Sequence, residues 1–392
     1  MVARFSQACK PVARLFAFFS LAWLAACDTN LQDVTEVTPS RDTSRGVQVA
    51  LLVPGGSGES SDAFLAQNLE NAARMAIADL NGADIDLRVY NTGGDPAQAA
   101  TVARMAVDDG AQIILGPLFA EAANAAGVAV AGDNINVLAF SNNTSIAGGN
   151  VFILGQTFDN TARRLVQYAS RQGVNRFMIA HGQDIGGEAG RDAIARAVRN
   201  NGSTLVATES YPLSQAGIFS STQRLVRTAE SNGAQAIFAT AGANADLPSI
   251  ATGLPDAGLD IEQTRLIGLT RWDTVPQLLE LPGVQGGLFA LPDQGPATLF
   301  QNRYEARYGA KPHPLAGLAY DGIAAIGALM SSGDGALTRR ALTTSQGFRG
   351  TSGVFRLLPD GRNERGLAVA TIQQNQVVIL EQAPRNFDAA GF

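Results

Sequence analysis

The chain has 392 residues, 46% of them hydrophobic and 16% charged, which excludes a disordered polymer and leaves room for about two domains of ~150 residues. Its net charge is −6 and it holds no dense basic run, which argues against nucleic acid as a partner. Lysine occurs at Lys10 and Lys311 and histidine at His181 and His313, with no phosphate-cradling glycine loop and no metal-ligand spacing. A P-loop nucleotidase, a zinc enzyme and a His-based triad are therefore disfavoured, and neither metal nor cofactor is expected.

Residues 1–14 carry Arg4, Lys10 and Arg14 and no acid, and the apolar run 15–26 (LFAFFSLAWLAA) that follows is too short to span a bilayer. The run ends in Leu24-Ala25-Ala26-Cys27, which resembles the bacterial lipobox. That likeness implies that residues 1–26 leave as a signal peptide, that Cys27 becomes a lipidated N-terminus, and that Cys9 is discarded. No thiol then remains for a disulfide or for catalysis. Residues 27–46 are the lipidated cysteine and a polar, aperiodic tether. The expected location is the periplasmic face of a bacterial membrane. Asp28 resembles the inner-membrane retention signal of enteric bacteria, and inner versus outer membrane stays open.

From residue 47 the chain alternates strands and helices. A buried strand over 47–53 (VQVALLV) precedes a helix whose apolar face is Leu65, Leu69, Ala72, Ala76 and Leu80, closed by Asn81-Gly82. Strand 85–90, helix 96–109, strand 112–115, helix 120–131 and strand 137–140 complete a first block. A second block runs through helix 160–171, strand 176–180, helix 188–200, strand 204–208, helix 220–231, strand 236–239, a helix from 245 and strand 265–269. This rhythm predicts an α/β protein of parallel sheets with right-handed crossovers, arranged as two doubly wound, Rossmann-like lobes. The close strands 354–358, 367–372 and 377–380 read as a C-terminal meander, which does not belong to a closed barrel.

The loops sort by end. Helix-to-strand loops are plain turns such as Asp109-Gly110, Gln172-Gly173 and Asn201-Gly202, whereas strand-to-helix loops are rich in small, polar and aromatic residues. Ligands of open α/β sheets bind beyond the carboxyl ends of the strands, so the second set marks a candidate cleft. Its candidate residues are Ser57, Gly58, Leu118, Phe119, Ser141, Asn142, Asn143 and Thr144 in the first block, and Asp184, Asn244, Arg271 and Trp272 in the second.

VALLVPGGSG, IILGPLFAEAANAAGVAVAG, VLAFSNNTSIAG, GLFALPD and the tail 350–380 resemble type 1 periplasmic-binding proteins, the superfamily of branched-chain amino-acid receptors. The resemblance covers residues 47–382 and implies two lobes around a central cleft, with hinge crossings near 152–155, 289–292 and 346–350. Lobe 1 would hold 47–152 plus 290–347, lobe 2 would hold 153–289 plus 348–382, and 383–392 would be a tail. Within the superfamily, GPLFAEA, VLAFSNN, GLTRWD, LPGVQGGLFALPD, the Gly350–Gly353 element and Asn363-Glu364-Arg365 look like the C-terminal domain of penicillin-binding-protein activators. Those lipoproteins stimulate a bifunctional murein synthase. The implied function is regulation of peptidoglycan synthesis by protein contact. The alternative is a substrate-binding lipoprotein that delivers branched-chain amino acids or related small polar solutes to an ABC permease.

In amino-acid receptors of this superfamily, a hydroxyl after the third strand helps hold the ligand carboxylate. The matching position here is Ala120, and no Ser or Thr occurs from Gly116 to Phe140. Tight binding of free leucine, isoleucine or valine is therefore not expected. No Gly-x-Ser-x-Gly elbow is present; His181 reads as a loop-mouth histidine and Asp321 as a structural acceptor, so the chain is not expected to be an enzyme.

Overall fold

The computed structural model describes residues 46–80, 84–332 and 336–388. The signal segment, Cys27, Asp28, the tether and the Asn81-Gly82 cap lie outside the described residues. The first lobe opens with β1 (Val47–Val53), α1 (Ser60–Asp79), β2 (Ile85–Asn91), α2 (Pro96–Asp108), β3 (Ile113–Leu115), α3 (Ala120–Ala129), β4 (Asn136–Ala139) and β5 (Val151–Ile153). The strands pair in parallel in the order β2-β1-β3-β4-β5. Helices cover both faces, so β1 is buried on both sides: Val49, Leu51 and Val53 enter one core, Ala50 and Leu52 the other. An unbroken apolar run is the consequence. Local chemistry starts the helices: the Asp95 carboxylate accepts from the Gln98 amide, and Pro96 opens α2 without losing a needed donor.

The second lobe runs through α4 (Phe158–Arg171), β6 (Arg176–Gly182), α5 (Ile185–Asn200), β7 (Thr204–Tyr211), α6 (Gln215–Ser231), β8 (Ala236–Ala239), α7 (Leu247–Asp256), β9 (Arg265–Gly268) and β10 (Leu288–Leu291). Thr157 and Asn160 close a reciprocal capping box at the start of α4. Past β10 the chain returns through α8 (Gln294–Tyr308), α9 (Gly317–Ser331), the single turn α10 (Arg339–Leu342), β11 (Phe348–Gly350) and β12 (Gly353–Leu357). These pieces pack on the first lobe, where Phe300, Tyr304, Ile323, Ile326, Phe348 and Phe355 join one core with Leu51 and Leu115. The apolar run at 323–330 is thus a core helix, as its composition suggests.

The C-terminal strands correct the single meander that the sequence suggested. β11, β12 and β13 (Asn363–Arg365) form their own antiparallel sheet. β14 (Ala368–Gln373) and β15 (Gln376–Glu381) instead form a hairpin on the edge of the second lobe's sheet, in the order β15-β14-β10-β9-β8-β6-β7. Strands β6 to β10 are parallel and the hairpin antiparallel. Strand β5 closes the first sheet, and the pieces that follow β10 return to its core. Phe348, Phe355 and Leu357 lie in the first sheet's core, whereas Ala368 and Val369 lie in cores of the second.

Candidate functional site

The carboxyl ends of the first lobe's strands open onto a cavity of about 610 Å³. Its first wall comes from the turn after β3. Gly116 has φ +83°, and a Cβ there would lie 2.2 Å from the Leu52 carbonyl oxygen, so glycine alone fits. The Gly116-Pro117 peptide is cis. This turn delivers Leu118 and Phe119 to the cavity, Phe119 standing just ahead of α3 with its ring 39% exposed.

The second wall follows β4. The Phe140 amide donates to the Pro117 carbonyl at 3.0 Å, which ties the two loops together. Ser141 is buried and its Oγ accepts from the Asn143 amide at 3.1 Å. Asn143 Oδ1 in turn accepts from the Ser145 amide at 2.9 Å. Asn142 and Asn143 are exposed at the cavity. Gly155 passes so close to Ser141 that a Cβ would sit 2.5 Å from its carbonyl oxygen.

The floor is a buried ion pair. Asp321 of α9 and Arg365 of β13 approach to 3.1 Å with side chains 1% and 4% exposed. Asp321 also accepts from the Thr351 amide at 2.6 Å and from its hydroxyl at 3.0 Å. Arg365 donates further to Ser352 Oγ at 2.8 Å and to the Leu154 carbonyl at 3.1 Å. Burial pushes the Asp321 carboxyl above its ordinary range, against the opposing pull of Arg365 and of the Thr351 bonds. On the second lobe's rim Arg271 is held bidentately by Asp273, at 3.0 and 2.5 Å.

The structure brings Leu118, Phe119, Ser141, Asn142, Asn143 and Arg271 to one cavity. It places the other candidates elsewhere. Thr144 faces a separate hollow of about 200 Å³ beside Arg163, Arg196 and Asn363. Ser57 Oγ accepts from the Glu59 amide at 3.1 Å, and neither it nor Gly58 lines the cavity. Asp184 caps α5, accepting from the Gly187 amide at 2.8 Å, and Asn244 is exposed in the turn ahead of α7. Trp272 is a correction: it is 0% exposed and stacks on Phe289 at 5.2 Å in the second lobe's core. Gly268 and Gly287 leave the space its indole fills. The cavity-lining residues that sequence reasoning missed include Gln156, Leu315, Asp321, Thr351, Ser352 and Arg365. Asp321 stands out in sequence as an acid within an apolar helix, but nothing local names its partner 44 positions away.

His181 is buried on β6, its ring Nδ1 lying 3.1 Å from the Gly182 carbonyl. Among the described residues no group of three or more His, Cys, Asp or Glu side chains is arranged to hold a metal, and no helix is long and apolar enough to cross a membrane.

Residues 46–376 match the family model described as "Periplasmic binding protein". Among solved structures, a protein of Rhodospirillum rubrum provisionally assigned to a branched-chain amino acid ABC transporter superposes with TM-score 0.71 at 19% identity. The match covers 86% of this chain and 100% of that one. A branched chain amino acid ABC transporter periplasmic ligand-binding protein from Burkholderia xenovorans LB400 gives 0.66 at 18% identity, over 86% and 96% of the chains. A Desulfitobacterium hafniense ABC transporter substrate-binding protein in complex with Leu gives 0.63 at 18%, over 86% and 100%. The uncharacterised Rickettsia prowazekii protein RP748 is 22% identical over 152 residues, so the match spans 39% of each chain.

Proposed function

The chain belongs to the periplasmic binding protein family, and from that premise we propose that it is a lipid-anchored envelope protein that regulates peptidoglycan synthesis by contacting a bifunctional murein synthase. The likeness of GPLFAEA, VLAFSNN, GLTRWD and the 350–365 segment to penicillin-binding-protein activators supports this reading. One observation of geometry carries it: the charged side chains of the cleft already have protein partners, Arg365 with Asp321 and Arg271 with Asp273. An amino acid held through its charges looks to unpaired charged side chains, or to neutral N–H and O–H donors, for its carboxylate and its ammonium. Among the described residues Asp321, the acid lining the cleft, is committed to the buried Arg365, and Arg271 on the rim is already neutralised by Asp273, so the cleft presents no uncompensated charge to either end of such a ligand.

The interaction surface is assigned to the lobes, because the tether is short and polar. Immobilised bifunctional synthase is expected to retain both the full chain and a variant lacking residues 29–44 to the same extent. Failure to retain the full chain would overturn the regulatory reading, and loss on the deletion alone would move the interface into the tether. Membrane attachment through Cys27 belongs to the same proposal. Cys27→Ala is expected to abolish palmitate labelling and to shift the protein from the membrane pellet to the soluble fraction. A variant that still pellets and still labels would remove the anchor from the scheme.

A second reading, solute delivery to an ABC permease, draws on the fold shared with substrate-binding proteins and on a cavity of ligand size. Permease and ATPase genes beside this one would favour it.

A further inference from the structure

We infer that the central cleft takes an uncharged ligand that combines hydroxyl and amide groups with an apolar face, the chemistry of a neutral N-acetylated hexose. The inference rests on reading the cleft as a ligand site, and it names what that site holds. It does not depend on the murein synthase.

Three features of the cavity point the same way. The first is charge. The charged side chains that line it are Arg271, Asp321 and Arg365. Asp321 accepts from Arg365 and twice from Thr351, and Arg365 also donates to Ser352 and twice to the Leu154 carbonyl. An anionic or cationic ligand would have to compete with the buried Asp321–Arg365 pair, where a broken pair leaves a charge uncompensated, or with Asp273 for the part-exposed Arg271. An uncharged ligand meets no such cost.

The second feature is a surplus of neutral hydrogen-bonding groups. Among the described residues the Asn142 side-chain amide makes no hydrogen bond within the protein, although it faces the cavity. Asn143 uses its oxygen to bind the Ser145 amide and leaves its NH₂ group free. Gln156 donates its NH₂ to Thr161 at 3.1 Å and leaves its carbonyl oxygen free. Free amide donors and a free amide acceptor on one wall suit hydroxyls, which both donate and accept, and suit an acetamido group.

The third feature is the apolar surface beside them. Phe119 is 39% exposed and Leu315 36% exposed, both at the cavity. Large apolar side chains left open at a concave site mark a surface that a ligand covers. A pyranose presents a C–H face to such a ring and its hydroxyls to amide groups. The cavity, about 610 Å³, falls within the range of small-molecule sites.

The test is calorimetric titration of the full chain with N-acetylglucosamine, its β-1,4-linked dimer, leucine and glutamate. The two sugars are expected to bind and the two amino acids to give no heat. Phe119→Ala and Asn142→Ala should each weaken sugar binding about tenfold or more, and Asn142→Ala should leave the melting temperature of the unliganded protein unchanged. Tighter binding of the dimer than of the monomer, by tenfold, would identify a glycan strand as the source; equal affinity would identify a free sugar. Binding of leucine or glutamate, or the absence of heat with both sugars, would overturn the inference. Synthase retention measured on the same preparations separates the two claims, since retention without sugar binding sinks the ligand assignment alone.

Discussion

Replacing Arg365 by methionine is expected to destabilise the protein by about 3–5 kcal/mol, because it leaves the Asp321 carboxylate buried without its cation. For a domain of this size that is a fall in melting temperature on the order of 10 °C. The side chains are 4% and 1% exposed, so solvent cannot replace the lost partner. The loss should also depend on pH in a definite direction. Burial already holds the folded carboxyl above its ordinary range. Stability tied to such a group is fully present below the ordinary carboxylate range and is lost as pH rises through the raised folded value. Removing Arg365 takes away a charge that opposes this rise, so the deficit of the variant relative to the parent should be larger at pH 8 than at pH 5. Adding Asp321→Asn should recover part of the loss at pH 8, since the buried charge itself is gone. Denaturant titrations of the parent and the two variants at both pH values check this. A loss under about 1 kcal/mol, or a deficit that grows toward acid, would contradict the ion-pair account of the cleft floor.

Trp272→Ala is expected to cost about 3–5 kcal/mol, the range for emptying a buried aromatic site. The indole is 0% exposed, stacked on Phe289 with an interplanar angle of 24°, and close to two glycines. A Cβ at Gly268 would come within 2.4 Å of it and one at Gly287 within 2.8 Å, so Gly287→Ala should also destabilise by displacing the ring. The indole N–H has no hydrogen-bond partner among the described residues, so Trp272→Phe removes an unsatisfied donor along with volume and should cost less than alanine. Urea unfolding followed by circular dichroism ranks the three variants. If Trp272→Ala lost under about 1 kcal/mol and instead abolished ligand binding, the residue would belong to the cleft and not to the core.

The α/β rhythm was legible in the sequence because it is local. Side chains two apart along a strand, or three and four apart along a helix, share a face whatever the rest of the chain does. The 47–53 and 236–239 strands therefore stand at the residues their patterns mark, and the helix over 158–171 lies within two residues of its apolar stripe. The three-residue strands at 151–153, 348–350 and 363–365 were not legible, since a run that short shows no period; Ile113–Leu115, equally short, was found through its place in the helix–strand alternation. The cleft was half legible. Leu118, Phe119, Ser141, Asn142, Asn143 and Arg271 follow from a rule about strand ends that needs no contacts.

What tertiary structure alone decided is which remote segments meet. Arg271 and Trp272 are neighbours in one loop, yet one reaches the cleft rim and the other the core. The difference is the seat made by Gly268 and Gly287, which exists only once β9 and β10 lie side by side. The strands at 353–357 and 368–373 are both apolar and both extended, and sequence treats them alike. They part company because Phe355 is held in the first lobe's core while Val369 and Ala370 complete the second. The charge balance of the cleft has the same origin. Asp321 is an acid in an apolar helix until the chain, 44 residues later, brings Arg365 back to it. Local pattern sets which face of an element is buried, and the path of the chain sets what that face meets.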